Sequence, residues 1–315
     1  MFRWILFATA LLLAGLARAE PATRELDWFD QTRQRAVPVR LYWPDSAKAV
    51  PLVVFSHGIG GSRRGYSYLG EYFADNGIAS LHLQHVGSDR SLWTGSMLDL
   101  LARLQDAARE REALERVRDL SFALDKLLAH SQYGRLIDRN RIAAAGHSYG
   151  ANTAMLAAGA SVLREGRRLE VRDPRIKAAL LLSAPPFYGE ADLKAILQSV
   201  TLPTLHVTAT EDVIRIPGYY SPASDRIAVF DAVGSPLKAL AVFEGGSHSI
   251  FTNRGGTGGV ELNTKVKAAM KELALALAFE YALQEGEGEA LQLWPETYRP
   301  LLARWTSPGT AAAVR

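Results

Sequence analysis

A serine flanked by glycines is the strongest chemical signal in the chain. Residues 146–150 read Gly-His-Ser-Tyr-Gly, with the apolar residues 142–145 before them and the helix-forming residues 151–160 after them. A serine that attacks carbonyl carbons from a sharp strand-to-helix turn needs this context, because its neighbours two positions away must be small. The helix that follows also directs its positive end at the serine. The pattern predicts Ser148 as a nucleophile; the alternative is a turn that merely favours glycine and serine.

A second glycine-rich segment offers a partner for that serine. Residues 57–61 read His-Gly-Ile-Gly-Gly and close the apolar run 53–55. A loop at this place provides one backbone donor for an oxyanion, and the residue after the nucleophile provides the other. We therefore expect the amides of Ile59 and Tyr149 to form an oxyanion hole, with a plain glycine turn as the alternative.

A serine nucleophile requires a base, and two histidines follow it in the sequence. His206 lies inside a strand-like run, whereas His248 lies in the segment 245–249, Gly-Gly-Ser-His-Ser. A flexible loop is suited to presenting an imidazole, so we predict His248 as the base, with a surface histidine as the alternative. His85 and Asp89 follow another strand-like run and are expected at the rim of the pocket. Three further histidines are expected to be structural: His57, His82 and His147.

The base in turn needs an orienting acid. When the nucleophilic serine precedes the histidine in the sequence, the acid lies between them. Asp212 follows the strand-like run 203–210 and precedes His248 by one strand–helix–strand unit. Adjacent residues at a strand end point in different directions, which separates Asp212 from its neighbour Glu211. We predict Asp212 as the acid. The alternatives that stay open are Glu211, Glu244, Asp192 and Glu190.

Strand-like and helical runs alternate along the chain and must position these groups. Strands are predicted at residues 39–43, 52–55, 78–85, 141–146, 176–183, 203–210 and 237–244, and helices at 66–76, 151–160 and 263–283. This alternation predicts an α/β fold with one mostly parallel sheet and helices on its faces. Apolar residues within 96–128 keep three-and-four spacing among charges of both signs, which predicts amphipathic helices. A lid formed by residues 96–112 is the alternative for part of this segment.

The first nineteen residues have the pattern of a secretory signal. Arg3 precedes the apolar run 4–16, and residues 17–19 (Ala-Arg-Ala) form a cleavage site. A membrane anchor is the alternative, but an apolar run of about thirteen residues is too short to span a bilayer. The sequence predicts an exported protein, periplasmic or secreted. Its hydrolase domain is expected at residues 20–284, followed by a C-terminal tail at 285–315.

Charge and composition exclude several classes of function. The chain of 315 residues has a formal net charge of +3, which falls to +1 without the predicted signal. A nearly neutral protein has no global field that attracts nucleic acid or acidic lipid. The chain has no cysteine, so disulfides and thiolate chemistry are excluded. The predicted chemistry requires neither a cofactor nor a metal ion.

The first half of the sequence resembles a known family of hydrolases. Residues 54–60 (Val-Phe-Ser-His-Gly-Ile-Gly) and 137–139 (Ile-Asp-Arg), together with 146–150, resemble the plasma-type platelet-activating-factor acetylhydrolases and the dienelactone-hydrolase-like group. The resemblance extends over about residues 50–160. It implies an α/β-hydrolase fold and a calcium-independent serine esterase with Ser148 as its nucleophile.

The second half resembles bacterial cutinases and polyester hydrolases instead. Over about residues 203–250, the run that leads to Asp212 and the segment 245–249 are similar to the acid and base segments of that group. The acetylhydrolases carry their acid just after the strand that follows the nucleophile, where residues 181–185 contain no acid here. This second resemblance implies Asp212 as the acid.

These patterns together predict a serine hydrolase that cleaves carboxylic esters through an acyl-enzyme. The expected partner is a small-molecule, lipid or polyester ester, with no nucleic acid and no integral membrane segment after signal removal. Two alternatives remain open. One is a peptidase or amidase with the same residues, and the other is a non-catalytic binding protein on the same scaffold.

Overall fold

The computed structural model describes residues 22–255, 257–277 and 289–308. The predicted signal at residues 1–19 and the end of the predicted helix 263–283 lie outside them. The strands are β1 (Ala22–Asp30), β2 (Arg35–Trp43), β3 (Val50–Ser56), β4 (Ala79–Leu83), β5 (Ile137–His147), β6 (Ser161–Arg164), β7 (Arg167–Glu170), β8 (Ile176–Leu182), β9 (Thr204–Glu211), β10 (Ile214–Ile216), β11 (Tyr219–Ser221), β12 (Lys238–Ser247) and β13 (Leu302–Thr306). The helices are α1 (Ser67–Asp75), α2 (Leu100–Ala108), α3 (Glu110–Leu128), α4 (Tyr149–Ala158), α5 (Leu193–Leu197), α6 (Ser224–Ala232), α7 (Val260–Leu277) and α8 (Glu289–Tyr298).

Nine of these strands form one sheet in the order β1-β2-β4-β3-β5-β8-β9-β12-β13. The pairs from β4 to β12 are parallel, and the pairs at the two ends are antiparallel. The central strands are short apolar runs, which a sheet covered on both faces requires. β3 is buried along its whole length. The prediction of a mostly parallel sheet is confirmed.

Two hydrophobic clusters lie against the sheet and divide the helices between its faces. Side chains of α3, α4, α5 and α6 belong to one cluster, which includes Leu120 and Leu156. Side chains of α1, α7 and α8 belong to the other, which includes Phe73 and Trp294. Among the described helices, none combines the length and apolar character that a bilayer crossing requires.

The structure differs from the predicted boundary at the C-terminal end. Within the predicted tail at 285–315, α8 packs on the sheet and β13 pairs antiparallel with β12. The indole of Trp294 is buried and donates a hydrogen bond to the Ala269 carbonyl at 2.9 Å. Burial of this aromatic surface outweighs the turn-forming glycine and proline residues nearby. The domain therefore extends at least to residue 306.

The long segment 96–128 forms two helices. α3 buries the apolar stripe that contains Val117, Leu120 and Leu124 against the sheet. α2 buries Leu104 and Ala107, and its Leu104 side chain lines the cavity described below. The predicted lid at residues 96–112 is thus part of a cavity wall in this conformation, and its movement stays a prediction.

Candidate active site

The chain reverses sharply at Ser148, between the end of β5 and the start of α4. Ser148 has φ 56° and ψ −122°, a conformation that L-residues rarely adopt. A Cβ at Gly146 would lie 2.1 Å from the Gly150 oxygen, and one at Gly150 would lie 1.9 Å from the Ser56 oxygen. Both neighbours must therefore be glycine. The Ser148 amide donates to the Leu182 carbonyl at 2.8 Å, which ties the turn to β8.

The predicted acid and base form a hydrogen-bonded pair. Asp212 is fully buried just after β9, and His248 follows β12. His248 Nδ1 lies 2.7 Å from Asp212 Oδ1, and the hydroxyl of Thr208 donates to Asp212 Oδ2 at 2.7 Å. Arg226 Nε lies 3.6 Å from Asp212 Oδ1. The loops after two neighbouring parallel strands thus bring these residues together.

The Asp212 carboxyl is held ionised despite its burial. Burial alone would raise its pKa, but the hydrogen bond and charge of His248 and the charge of Arg226 outweigh that cost. The net effect holds the pKa of Asp212 well below its ordinary value. An ionised carboxylate at Nδ1 keeps the proton of a neutral imidazole on that nitrogen. In that tautomer, Nε2 of His248 carries no proton and can accept one.

The rival acids of the sequence analysis are engaged elsewhere. Glu190 pairs with Arg164, and the Asp192 side chain accepts from the Ala195 amide at 2.9 Å to cap α5. Glu211 is exposed at the end of β9, and Glu244 is exposed within β12. Of these carboxyl groups, Asp212 is the one that contacts His248.

His147 joins the nucleophile turn to the loop of the base. Its Nδ1 lies 2.8 Å from the Tyr66 hydroxyl, and the direction of this hydrogen bond depends on the tautomer of the ring. Because the His248 carbonyl lies 2.9 Å from the ring's Nε2 and can only accept, His147 carries its proton there. Burial, followed by the charge of His248, lowers the pKa of His147 to about 3. Sequence reasoning treated His147 as structural, and its contact shows that it positions the base loop.

The two predicted oxyanion donors flank Ser148 at the mouth of a cavity. Ile59 lies in the loop after β3, and the Gly60 amide in that loop donates to the Ser88 carbonyl at 2.8 Å. A Cβ at Gly58 would lie 3.3 Å from Ser148 Cβ, so the loop passes close to the nucleophile. Tyr149 is the first residue of α4, where amides have no partner within the helix. Both residues line the cavity with Ser148.

Arg116 holds the oxyanion loop and α4 together from beneath. Its guanidinium is fully buried and donates to the Ser88 hydroxyl at 2.8 Å and the Thr153 hydroxyl at 2.9 Å. It also donates to the His57 carbonyl and lies 4.4 Å from the centre of the Tyr149 ring. Burial lowers the pKa of Arg116 to about 10, so the side chain stays charged at neutral pH. Sequence reasoning missed this residue because it lies in a charged run.

A layer of ion pairs lies behind Arg116. Asp119 is fully buried on α3 and accepts from Arg33 and Arg35, which lie at the ends of the hairpin turn between β1 and β2. Glu112 accepts from Arg35 and from the Ser88 hydroxyl. Three side chains of α3 thereby anchor the loop that carries Ile59.

The prediction that His85 and Asp89 line the pocket rim is wrong. His85 is fully buried, with Nδ1 3.1 Å from Asp119 Oδ2 and Nε2 3.1 Å from the Ser56 hydroxyl. Burial and then the charge of Arg116 hold the pKa of His85 well below its ordinary value. Asp89 is also buried and accepts from the Ser91 amide at 3.0 Å. His85 thus turns inward to Asp119. Asp89 turns inward instead to the Gln84 side chain and to Ser91.

Three further histidines are buried: His57, His82 and His206. His57 Nδ1 lies 2.7 Å from the Gly58 carbonyl, and His82 Nε2 lies 2.9 Å from the Ser80 hydroxyl. His206 packs edge-on against Phe230 inside β9, at 5.2 Å between ring centres. These placements agree with the structural roles expected from the sequence.

The site opens into a cavity of about 730 Å³ that Ser148 and His248 both line. Its walls come from the oxyanion loop, α2, α3, α4, the β6–β7 hairpin, the segment after β8 and the β10–β11 hairpin. Most of the wall is apolar, and it includes Ile59, Trp93, Leu104, Leu114, Leu156, Val162, Leu169, Phe187 and Ile214. The cavity can therefore hold a largely apolar molecule with one reactive polar group at Ser148.

Comparisons with known proteins agree with this architecture. The family model of platelet-activating factor acetylhydrolase, isoform II, matches residues 36–118. This match confirms the resemblance in the first half, although it begins and ends earlier than the interval 50–160. No curated protein sequence matches the chain.

Two solved structures share the fold. The chain is similar to a polyethylene-glycol-bound cold-adapted esterase from an Arctic intertidal metagenomic library, with TM-score 0.53 and 18% identity over 73% of this chain and 87% of that one. The zinc-bound structure of a cold-adapted esterase from such a library gives TM-score 0.51 and 19% identity over 74% and 87% of the two chains. The predicted α/β-hydrolase fold is confirmed.

Proposed function

We propose that this protein is an exported serine hydrolase that cleaves carboxylic esters through an acyl-enzyme. The observation that carries the proposal is the Asp212–His248 pair at 2.7 Å, in a cavity that Ser148 also lines. The match to the acetylhydrolase family and the fold shared with the Arctic esterases favour ester substrates. The apolar cavity wall favours esters with apolar groups.

In the first half of the proposed reaction, Ser148 Oγ attacks the ester carbonyl carbon. His248 Nε2 accepts the hydroxyl proton as the new C–O bond forms, and Asp212 stabilises the imidazolium. The amides of Ile59 and Tyr149 donate to the oxyanion of the tetrahedral intermediate. The intermediate collapses when the bond to the alcohol breaks and His248 returns its proton to the departing oxygen.

In the second half, a water molecule attacks the acyl-enzyme. His248 accepts a proton from the water, and the same two amides again hold the oxyanion. The bond to Ser148 breaks, and the serine oxygen recovers the proton from His248 while the carboxylic acid leaves. The residues of this chain balance each proton transfer without a cofactor.

The test removes the nucleophile and compares it with a neighbouring serine. Ser148→Ala should lower kcat for p-nitrophenyl butyrate by at least ~10³-fold and abolish fluorophosphonate labelling, because triad members act as a unit. Ser249→Ala removes a hydroxyl from the same cavity and should retain a rate within about tenfold. Normal turnover by the Ser148 variant would refute the serine mechanism.

Matched substrates separate the remaining alternatives. An ester and an amide with the same acyl group should differ strongly in rate in favour of the ester. Faster cleavage of the amide would identify a peptidase or amidase instead. A wild-type protein that neither hydrolyses esters nor reacts with the fluorophosphonate would be a binding protein on this scaffold.

Export is the part of the proposal that rests on the sequence of residues 1–19. The proposed mature protein begins at Glu20 and is periplasmic or secreted. N-terminal sequencing of the protein recovered outside the cytoplasm should start at Glu20. Recovery of exported protein that still carries Met1 would contradict cleavage.

A further inference from the structure

One part of the cavity extends away from Ser148 along α4. Ser148, Asn152 and Leu156 all line it, at a spacing of four residues that places them on one helix face. At a rise of about 1.5 Å per residue, this face extends the cavity by roughly 12 Å from the nucleophile. The Asn152 amide donates to the Pro185 carbonyl at 2.9 Å, which fixes the opposite wall to α4.

We name the part of the cavity between Ser148 and the β6–β7 hairpin the acyl arm. Its walls are mostly apolar. α3 contributes Ala113 and Leu114, and the segment after β8 contributes Pro186 and Phe187. Three charged residues also line the cavity near the hairpin, where Arg164 pairs with Glu110 and Glu190. The apolar part of the walls binds hydrocarbon through the release of water.

The β6–β7 hairpin closes the far end of the acyl arm. Val162 and Leu169 are cross-strand partners in the hairpin and both line the cavity. At the same end of the cavity, Arg164 Nε donates to Glu110 Oε2 at 2.6 Å, and the same guanidinium contacts Glu190. These ion pairs connect the hairpin to α3 and to the segment after β8. The arm therefore has a defined length.

The position of the base decides which half of an ester enters this arm. His248 must reach the departing alcohol oxygen to protonate it, so the alcohol lies on the His248 side of the scissile bond. The segment after His248 packs in the cluster that contains Ile250 and Phe251, on the opposite sheet face from the arm residues Leu156 and Val162. The acyl group therefore points towards the arm and the alcohol away from it.

We propose that the acyl arm binds a linear saturated acyl chain of medium length, and that Val162 and Leu169 set the upper limit of that length. The inference rests on the proposed ester hydrolysis and names its substrate class. A 12 Å arm accommodates a chain of roughly eight to ten carbons, since C–C bonds of about 1.5 Å follow a zigzag path. Each added methylene should raise kcat/KM by up to about fourfold until the arm is full.

The experiment measures kcat/KM for p-nitrophenyl esters from acetate to hexadecanoate. The wild-type protein should peak between about eight and ten carbons and decline for longer chains. Leu169→Trp fills the end of the arm and should move the peak to shorter chains by several carbons. Leu163→Trp is the matched control, because Leu163 lies on the outer face of the same hairpin and is 62% exposed.

Several results would overturn the inference. One is a wild-type optimum at acetate, and another is a Leu169→Trp profile identical to that of the wild type or of Leu163→Trp. A series of acetate esters with alcohols of increasing length tests the direction of binding. A Leu169→Trp shift in that series, rather than in the acyl series, would place the alcohol in the arm. Absence of hydrolysis of every ester, with no fluorophosphonate labelling, would instead remove the proposed function itself.

Discussion

The base side and the oxyanion side of the site are built in different ways. On the base side, Asp212 contacts His248 directly, and Thr208 and Arg226 complete its surroundings. On the oxyanion side the expected donors are backbone amides, so their positions depend on the chain segments that carry them. There Arg116 fixes the loop and α4, and ion pairs from the β1–β2 turn and α3 stand behind it.

The difference shows what each kind of catalytic group requires from the fold. A carboxylate and an imidazole need one short contact, which loops after two neighbouring strands can provide. Two amides from distant segments need a rigid frame, because oxyanion stabilisation depends on donors that are already in place. The family match at residues 36–118 covers Ile59 and Arg116 but neither Asp212 nor His248. The match thus covers part of the frame and leaves out Arg35, Asp119 and Tyr149.

The largest predicted effect is the loss of the base. His248→Ala should lower kcat by at least ~10³-fold, because Ser148 then has no proton acceptor. His206→Leu provides the control, since His206 lies inside β9 and not on the cavity wall. Its kcat should stay within about threefold of the wild-type value. An active His248 variant beside an inactive His206 variant would reverse the assignment of the base.

The next effect tests the acid and the tautomer that it selects. Asp212→Asn should lower kcat by about 10²–10⁴-fold, because an amide does not hold the imidazole proton on Nδ1. Glu211→Gln changes the exposed neighbour and should leave kcat nearly unchanged. Steady-state kinetics at neutral pH compare the two. Near-normal turnover in Asp212→Asn, with collapse in Glu211→Gln, would move the acid to position 211.

Sequence patterns predict candidate reactive groups, whereas the frame around them gave little local signal. The glycines around Ser148 and the segment of His248 are local signals, and each follows a recognisable apolar run. Arg116 gave no such signal, although it lies four residues before Leu120 and thus on the buried stripe of α3. An arginine in an apolar stripe can be recognised as a buried cation only when its hydrogen-bond acceptors are known. The acceptors of Arg116 belong to Ser88, Thr153 and His57, which are far apart in sequence.

The same limit applies to the fold. The central strands were predictable because they are apolar runs buried on both faces. β1 was not predicted, although residues 25–28 alternate charged and apolar side chains as a half-exposed edge strand does. β13 is short and half exposed, which leaves little local pattern. The β6–β7 hairpin contains the arginine-rich run 164–168, which has no apolar pattern. Tertiary packing decides such segments more than local pattern does.

The oxyanion frame predicts a smaller, selective effect. Arg116→Met removes the hydrogen bonds to Ser88, Thr153 and the His57 carbonyl, and a shift of about 1 Å in the donors costs about 10–10²-fold in kcat. KM should change little, because the amides act mainly on the tetrahedral intermediate. The affinity for a trifluoromethyl ketone, which mimics that intermediate, should fall in parallel with kcat. Arg116→Lys keeps the charge without the planar guanidinium, so its kcat and its ketone affinity should lie between those of Arg116→Met and the wild type.

Arg35→Met is the matched control for that comparison. Arg35 is a partly buried cation paired with Asp119 and Glu112, and these contacts lie one layer further from the oxyanion loop. Its loss should lower the free energy of unfolding while kcat and the ketone affinity of the folded fraction stay near wild type. Equal losses of kcat in the two variants would mean that the network acts only through stability.

The smallest effect concerns a histidine that belongs to neither side. Neither ring nitrogen of His206 has a hydrogen-bond partner among the described residues, and burial, with a smaller effect of Lys238, lowers its pKa to about 3. In the unfolded chain a histidine titrates near ~6.5. Between these two values the unfolded state binds a proton that the folded state does not. The contribution of His206 to stability therefore falls as pH falls below about 6.5, by up to ~1.4 kcal/mol per pH unit.

His206→Leu removes this proton uptake and leaves the other buried histidines unchanged. Urea unfolding at pH 6.5, 5.5 and 4.5 should show the variant gaining on the wild type by about 1 kcal/mol or more at each step. At pH 7 and above, the difference between them should no longer depend on pH. Parallel stability curves would show that His206 titrates alike in both states. The comparison would then lose its example of a buried histidine that lacks the partners found by His147 and His248.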